Sequence, residues 1–252
     1  MRQTGFGPAG AYIRWTEAAG TGPVRVHVHG LGAATGPYTA HLGVDPLLAG
    51  RRTLFVDLPG FGISDRPADF GYSLDEHADA VACVLDAAGV RGAEVVGHSM
   101  GGAVAVVLAH RRPEMVGRLV LAEANLDPDP PATSGSSAIA GWTEEEFVHG
   151  GGFAATLERV GWRWAATMRL ADPLALHRSA TALVRGTEPT MRAMLESLTV
   201  PRTYLVGELS DEDWLDGAGL TAAGVEVVKV PGAGHCIMFD NPEAYARAIA
   251  AA

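Results

Sequence analysis

Val95-Val96-Gly97-His98-Ser99-Met100-Gly101-Gly102 is the stretch on which the reading of the chain turns. An apolar run ends here in Gly-x-Ser-x-Gly and passes at once into Ala103-Val104-Ala105-Val106-Val107-Leu108-Ala109, which reads as a buried helix. A strand, a tight turn and a helix form the setting in which this pattern holds a serine at the tip of a strained turn. Small residues at Gly97 and Gly101 let strand and helix approach. In a chain with 32 Gly the five residues alone would read equally well as a loop. The flanking strand and helix make Ser99 a candidate nucleophile.

The length of 252 residues accommodates one large α/β domain or two small ones, and 48% hydrophobic with 19% charged residues belongs to a soluble globular protein. No apolar run approaches the ~20 residues of a membrane span, and Met1 to Pro8 lacks the apolar stretch of a signal peptide, so the expected location is cytoplasmic. A net charge of −10 without a Lys/Arg cluster argues against nucleic acid or a membrane surface as partner. The two cysteines, Cys83 and Cys236, lack metal-ligand spacing and read as small hydrophobes; no metal or cofactor is expected.

Outward from the central stretch, strands and helices alternate. Tyr12 to Thr16 reads as an early antiparallel strand, and Val24-Arg25-Val26-His27-Val28 as the next. Its alternation departs from the uniform apolarity of a strand covered on both faces, so the heads of Arg25 and His27 are expected to reach polar partners or solvent. His29-Gly30-Leu31-Gly32 is a Gly-rich loop at the end of that strand. Thr53 to Asp57 is another strand, and Leu74 to Ala88 an amphipathic helix stopping at Gly89. Gly117 to Ala122 is the strand that runs into Glu123-Ala124-Asn125. From about Asp127 to Leu198 the pattern changes to short helices broken by Gly and Pro. Alternation then returns with Arg202 to Gly207, Val225 to Val230, the loop Pro231-Gly232-Ala233-Gly234-His235 and a closing helix from Pro242. This predicts an α/β fold with a mostly parallel sheet covered by helices on both faces, with the chemistry at the carboxyl ends of the strands.

These motifs, in this order, resemble the α/β-hydrolase superfamily over nearly the whole chain. His29 to Gly32 resembles its oxyanion loop, Asp57 to Ser64 the loop common in lid-bearing members, Gly97 to Gly101 its nucleophile elbow, and Gly234-His235 its histidine loop. The resemblance implies a core of residues 1–126 and 199–252 with a helical cap inserted over 127–198. It makes Ser99 the nucleophile, His235 the base, and the Leu31 and Met100 N–H groups the oxyanion hole. A serine hydroxyl is a poor nucleophile until an imidazole accepts its proton, and that imidazole needs an anion behind it. His98 reads as packed and His29 as bracing its own loop. The other histidines in helical segments carry no ligand spacing.

The acid has two candidates. In the commoner pattern it follows the seventh strand as Gly-x-x-Asp, but Gly207-Glu208-Leu209-Ser210 puts a serine there, and Asp211 comes one residue late. Glu123 ends the sixth strand, where Glu123-Ala124 resembles the acid position of some haloalkane dehalogenases. Glu123 is favoured over Asp211. The implied activity is a serine hydrolase acting on a carboxylic ester, lactone or thioester of a small molecule through an acyl-serine intermediate. A perhydrolase, a carbon–carbon bond hydrolase or an acyltransferase would keep the same triad, and a ligand-binding receptor retaining it is the non-enzymatic alternative. Trp142, Phe147, Phe153, Trp162, Trp164 and Met168 are candidates to line the substrate pocket, against the alternative that they form the core of the helical segment.

Overall fold

A computed structural model describes residues 1–8, 10–128, 130, 132, 134–210 and 215–252. Eight strands form one sheet: β1 (Arg2–Gly5), β2 (Tyr12–Ala18), β3 (Thr21–Val28), β4 (Arg51–Asp57), β5 (Ala93–His98), β6 (Val116–Ala122), β7 (Arg202–Gly207) and β8 (Glu226–Val230). Their spatial order is β1-β2-β4-β3-β5-β6-β7-β8. β1 and β2 pair antiparallel, β2 joins β4 antiparallel, and every pairing from β4 across to β8 is parallel.

Helices α1 (Thr35–Thr39), α2 (Leu74–Ala87) and α3 (Met100–Arg111) precede β6. α4 (Gly135–Ala140), α5 (Glu144–Val148), α6 (Gly152–Arg159), α7 (Trp162–Met168), α8 (Pro173–Arg185) and α9 (Met191–Ser197) lie between β6 and β7. α10 (Gly217–Ala222), α11 (Ile237–Asp240) and α12 (Pro242–Ala251) complete the chain. The start of α2 is set by a capping box, in which the Ser73 side chain accepts from the Glu76 N–H while Glu76 reaches back to the Ser73 backbone.

Consecutive strand residues point to opposite faces, and each face is covered. Val95 and Leu119 belong to the apolar cluster that includes α2 and α3, whereas Val96 and Val120 belong to the one that includes Tyr245 and Ile249 of α12. Between β6 and β7, α8 packs against α4 and α5, while α9 packs against α3.

Arg25 and His27 of β3 fare differently. Arg25 is buried in an ion pair with Glu94, whose carboxylate also meets Arg51 and Arg118. His27 does not reach the polar partner or solvent expected of it. It is 1% exposed and stacks on Phe55 with ring centroids 5.2 Å apart, and neither ring nitrogen has a hydrogen-bond partner among the described residues. The second covered face leaves it no route to water, and burial holds it neutral by pushing its pKa down to about 3.

Candidate active site

Ser99 stands between β5 and α3 with φ 53° and ψ −122°, a conformation that costs a non-glycine residue of order 1–3 kcal/mol. Its N–H donates to the Ala122 carbonyl at 2.9 Å, and its side chain makes no capping bond to α3. Close backbone approach explains the glycines around it. A Cβ on Gly97 would lie 2.5 Å from the Gly101 carbonyl oxygen, and one on Gly101 would lie 2.3 Å from that of Val28. A Cβ on Gly102 would lie 2.4 Å from the Ala124 Cβ.

Glu123, directly after β6, also has a positive φ, 50°. Its Oε1 accepts from the Gly207 N–H at 2.7 Å and from the Ser210 hydroxyl at 2.9 Å. Its Oε2 lies 3.5 Å from His235 Nδ1. Burial pushes this carboxyl up, but the hydrogen bonds from His235, Gly207 and Ser210 together hold it below the ordinary carboxylate value. The serine in the usual acid position thus meets Glu123 as a hydrogen-bond donor. Asp211, the alternative acid, lies outside the described residues.

The His235 loop is tied to the elbow through its backbone. His98 Nε2 is 2.8 Å from the His235 carbonyl, which can only accept, so Nε2 carries the proton. His98 Nδ1 is buried without a hydrogen-bond partner among the described residues, and burial pushes the ring pKa down to about 3, keeping it neutral. The Gly234 N–H donates to Asp240 at 3.1 Å, and Arg163 of α7 pairs with the same carboxylate at 3.3 Å. The His235 side chain is 56% exposed.

Across the elbow, His29 donates from Nδ1 to the Gly30 carbonyl at 2.8 Å and accepts at Nε2 from the Leu58 N–H at 3.0 Å, bracing its loop. Neither the Leu31 nor the Met100 N–H has an acceptor among the described residues. The loop is gripped from above by α7: Trp164 Nε1 donates to the Leu31 carbonyl at 2.7 Å and the Thr167 hydroxyl to that of Gly32 at 3.0 Å.

Ser99 and His235 open onto one cavity of about 260 Å³. Leu31, Ala33, Tyr38, Trp164 and Leu183 supply apolar wall, while Asn125, Ser134 and Ser136 supply polar groups. No Lys or Arg lines it among the described residues. The Ser99 hydroxyl has Asn125 Oδ1 as its hydrogen-bond partner here, at a long 3.4 Å, rather than His235; catalytic hydrogen bonds often tighten only when substrate binds.

Of the six side chains that were candidates for the pocket, only Trp164 lines this cavity. Phe147 and Met168 are fully buried in the core, and Phe153 packs edge-on to Phe147 at 6.0 Å. Trp142 is partly exposed beside Gly152, and Trp162 is 78% exposed with Arg163 over its ring. Asn125 is not among the residues that the sequence singles out, because a single Asn after Glu-Ala carries no pattern.

The strand order and the helices on both faces define the α/β-hydrolase fold. Residues 26–148 match the family described as alpha/beta hydrolase fold. A thermophilic esterase from Thermogutta terrifontis superposes with a TM-score of 0.80 at 22% identity, over 98% of this chain and 96% of that one. A hydrolase from Pseudomonas aeruginosa PA01 gives 0.75 at 26% identity, over 99% and 97%. The chain has the α/β-hydrolase fold, and residues 26–148 are similar to that family's model. Among curated relatives, a 2-hydroxymuconate semialdehyde hydrolase from Pseudomonas sp. (strain CF600) is 39% identical over 125 residues, 49% of this chain and 44% of its own length. The matched stretch therefore spans less than half of that relative.

Proposed function

We propose that the protein is a serine hydrolase that cleaves an ester, lactone or thioester of an uncharged acyl group. Ser99 Oγ attacks the acyl carbon while His235 takes its proton, and Glu123 behind Nδ1 fixes the imidazole tautomer and stabilises the imidazolium. The carbonyl oxygen, now carrying the negative charge, is met by the Leu31 and Met100 N–H groups. The C–O or C–S bond breaks as His235 returns the proton to the leaving group. Water then repeats the sequence on the acyl-Ser99 ester and frees the acid. The observation that carries this reading is the contact of Glu123 at 3.5 Å with His235, which lines the cavity together with Ser99. In the same reading, residues 127–198, which carry α4 to α9, act as the cap that closes the cavity, through Trp164.

Carbon–carbon bond hydrolysis is the second reading, favoured by the identity to the 2-hydroxymuconate semialdehyde hydrolase. The absence of Lys and Arg from the described cavity wall weighs against a substrate with a second carboxylate, which would be buried there unpaired. A fluorophosphonate should modify the wild-type protein once, at Ser99, and leave Ser99→Ala unmodified by mass spectrometry. Equal modification of Ser99→Ala would move the nucleophile elsewhere.

A further inference from the structure

Asn125 is a polar side chain held in place with little to do inside the protein. The segment that carries it is pinned on both sides: the Ala124 carbonyl accepts from the Tyr204 hydroxyl at 2.8 Å, and the Leu126 carbonyl from the Arg192 N–H at 2.9 Å. Ala124 and Leu126 are each 1% exposed, which anchors the backbone and turns the residue between them to the cavity. A carboxamide offers two N–H donors and a carbonyl with two lone pairs. The one partner of the Asn125 side chain among the described residues is the Ser99 hydroxyl, at 3.4 Å.

When an acyl group occupies the cavity, that hydroxyl has given up its proton and become a bond to carbon. Asn125 then has no partner among the described residues and faces the substrate. The four substituents of the tetrahedral centre divide the space around it. Ser99 Oγ is one, the oxygen facing Leu31 and Met100 the second, and the leaving group beside His235 the third. The acyl α-carbon takes the remaining direction. β3 and β6 flank β5 on opposite sides, so Asn125, following β6, lies across Ser99 from the Leu31 loop.

The geometry points to Asn125 as the residue that reads a hydroxyl on the acyl α-carbon, making α-hydroxyacyl esters the preferred substrates. The inference rests on the Ser99 reading above and adds the substrate class. A hydroxyl both donates and accepts, so it pairs with either end of the carboxamide. A plain acyl chain would instead strip water from the amide and return nothing. Sites built around a substrate hydroxyl discriminate strongly against its absence for that reason.

The test compares ethyl 2-hydroxyhexanoate with ethyl hexanoate, each kcat/KM divided by the ester's own hydroxide-catalysed rate. The wild-type ratio should favour the hydroxy ester by about tenfold or more. In Asn125→Leu, checked for folding by circular dichroism, the ratio should collapse to within about threefold of unity, the residue left by losing one paired group. Asn125→Ala serves in the same comparison if the leucine variant does not fold. A wild-type ratio near one, or a preference that survives in the variants, overturns the proposal. So does hydrolysis of neither ester by protein whose Ser99 reacts with a fluorophosphonate. Failure of Ser99 to react removes the underlying reading as well, and is told apart by that labelling.

Discussion

On the β3 side of Ser99 the site is made of backbone, and on the β6 side it is made of side chains. Toward β3, the Gly97 and Gly101 positions bring main chain against main chain, a Cβ on Gly30 would lie 3.0 Å from the Ser99 Cβ, and Leu31 is 6% exposed under α7. Toward β6, Glu123, Asn125 and Ser210 converge with His235 from three different strand ends, and His235 is half in solvent. A charge-stabilising pocket of N–H groups gains from rigidity, because its dipoles need no rearrangement as charge develops. A proton acceptor has to turn between nucleophile and leaving group, and its freedom is limited by one anion rather than by packing.

The largest expected effect falls on the side-chain half. In the serine proteases, amidating the carboxylate behind the histidine lowers kcat by about 10⁴, and Glu123→Gln should behave comparably, with KM little changed. The amide would still accept from Gly207 and Ser210 through its oxygen, so folding should survive and a thermal melt should resemble the wild type. Asp211→Asn should keep most activity. The reverse pattern in folded variants would assign the acid to Asp211.

The two halves also differ in how plainly the amino-acid sequence encodes them. Close backbone approach leaves a mark in the sequence, because only glycine satisfies it: Gly97 and Gly101 sit at fixed spacing around Ser99, and strand–helix alternation carries the sheet from β2 to β8. Side-chain convergence leaves a weaker mark. Glu123 stands out as a strand end paired with a serine where an acid is usual, but its separation from His235 depends on how β6, β7 and β8 pack. Asn125 has no periodic signature at all. In the helices between β6 and β7, the apolar pattern tells that a face is buried without telling against what, so Phe147 and Met168 look no different from Trp164. The short strand β1 is equally silent, since Arg2–Gly5 carries no apolar alternation.

Breaking the backbone half should cost stability before it costs chemistry. Gly101→Ala puts a Cβ 2.3 Å from the Val28 carbonyl oxygen and 2.5 Å from that of His29, both main-chain atoms that cannot swing aside. Overpacking of that kind costs about 1–3 kcal/mol or more. A lowered urea midpoint with unchanged m-value is the expected result, accompanied by reduced kcat as the Leu31 loop is pushed from Ser99. Wild-type stability in Gly101→Ala would mean that strand and helix are less tightly apposed than the geometry requires.

The smallest effect separates the halves by pH. His27 and His98, on β3 and β5, are buried neutral, with pKa values pushed down to about 3 by desolvation. An unfolded histidine titrates near 6.5, so between those values the unfolded chain binds more protons and stability falls as the pH drops. Glu123 acts with the same sign at lower pH: its carboxyl is held below its ordinary value of 4.5, so the stability it contributes is kept above that value and lost only as the pH falls through its folded one. At pH 5.5 the fold has therefore already lost stability through its buried histidines while Glu123 is still ionised. His27→Leu, which fills the site beside Phe55 without a titrating group, should reduce the loss of stability between pH 7.5 and 5.5 by about 1.4 kcal/mol, one pH unit of linkage for one histidine. Calorimetry at the two pH values reads the difference directly. An acid-induced loss that is the same in wild type and His27→Leu would show that His27 finds a partner or water in solution.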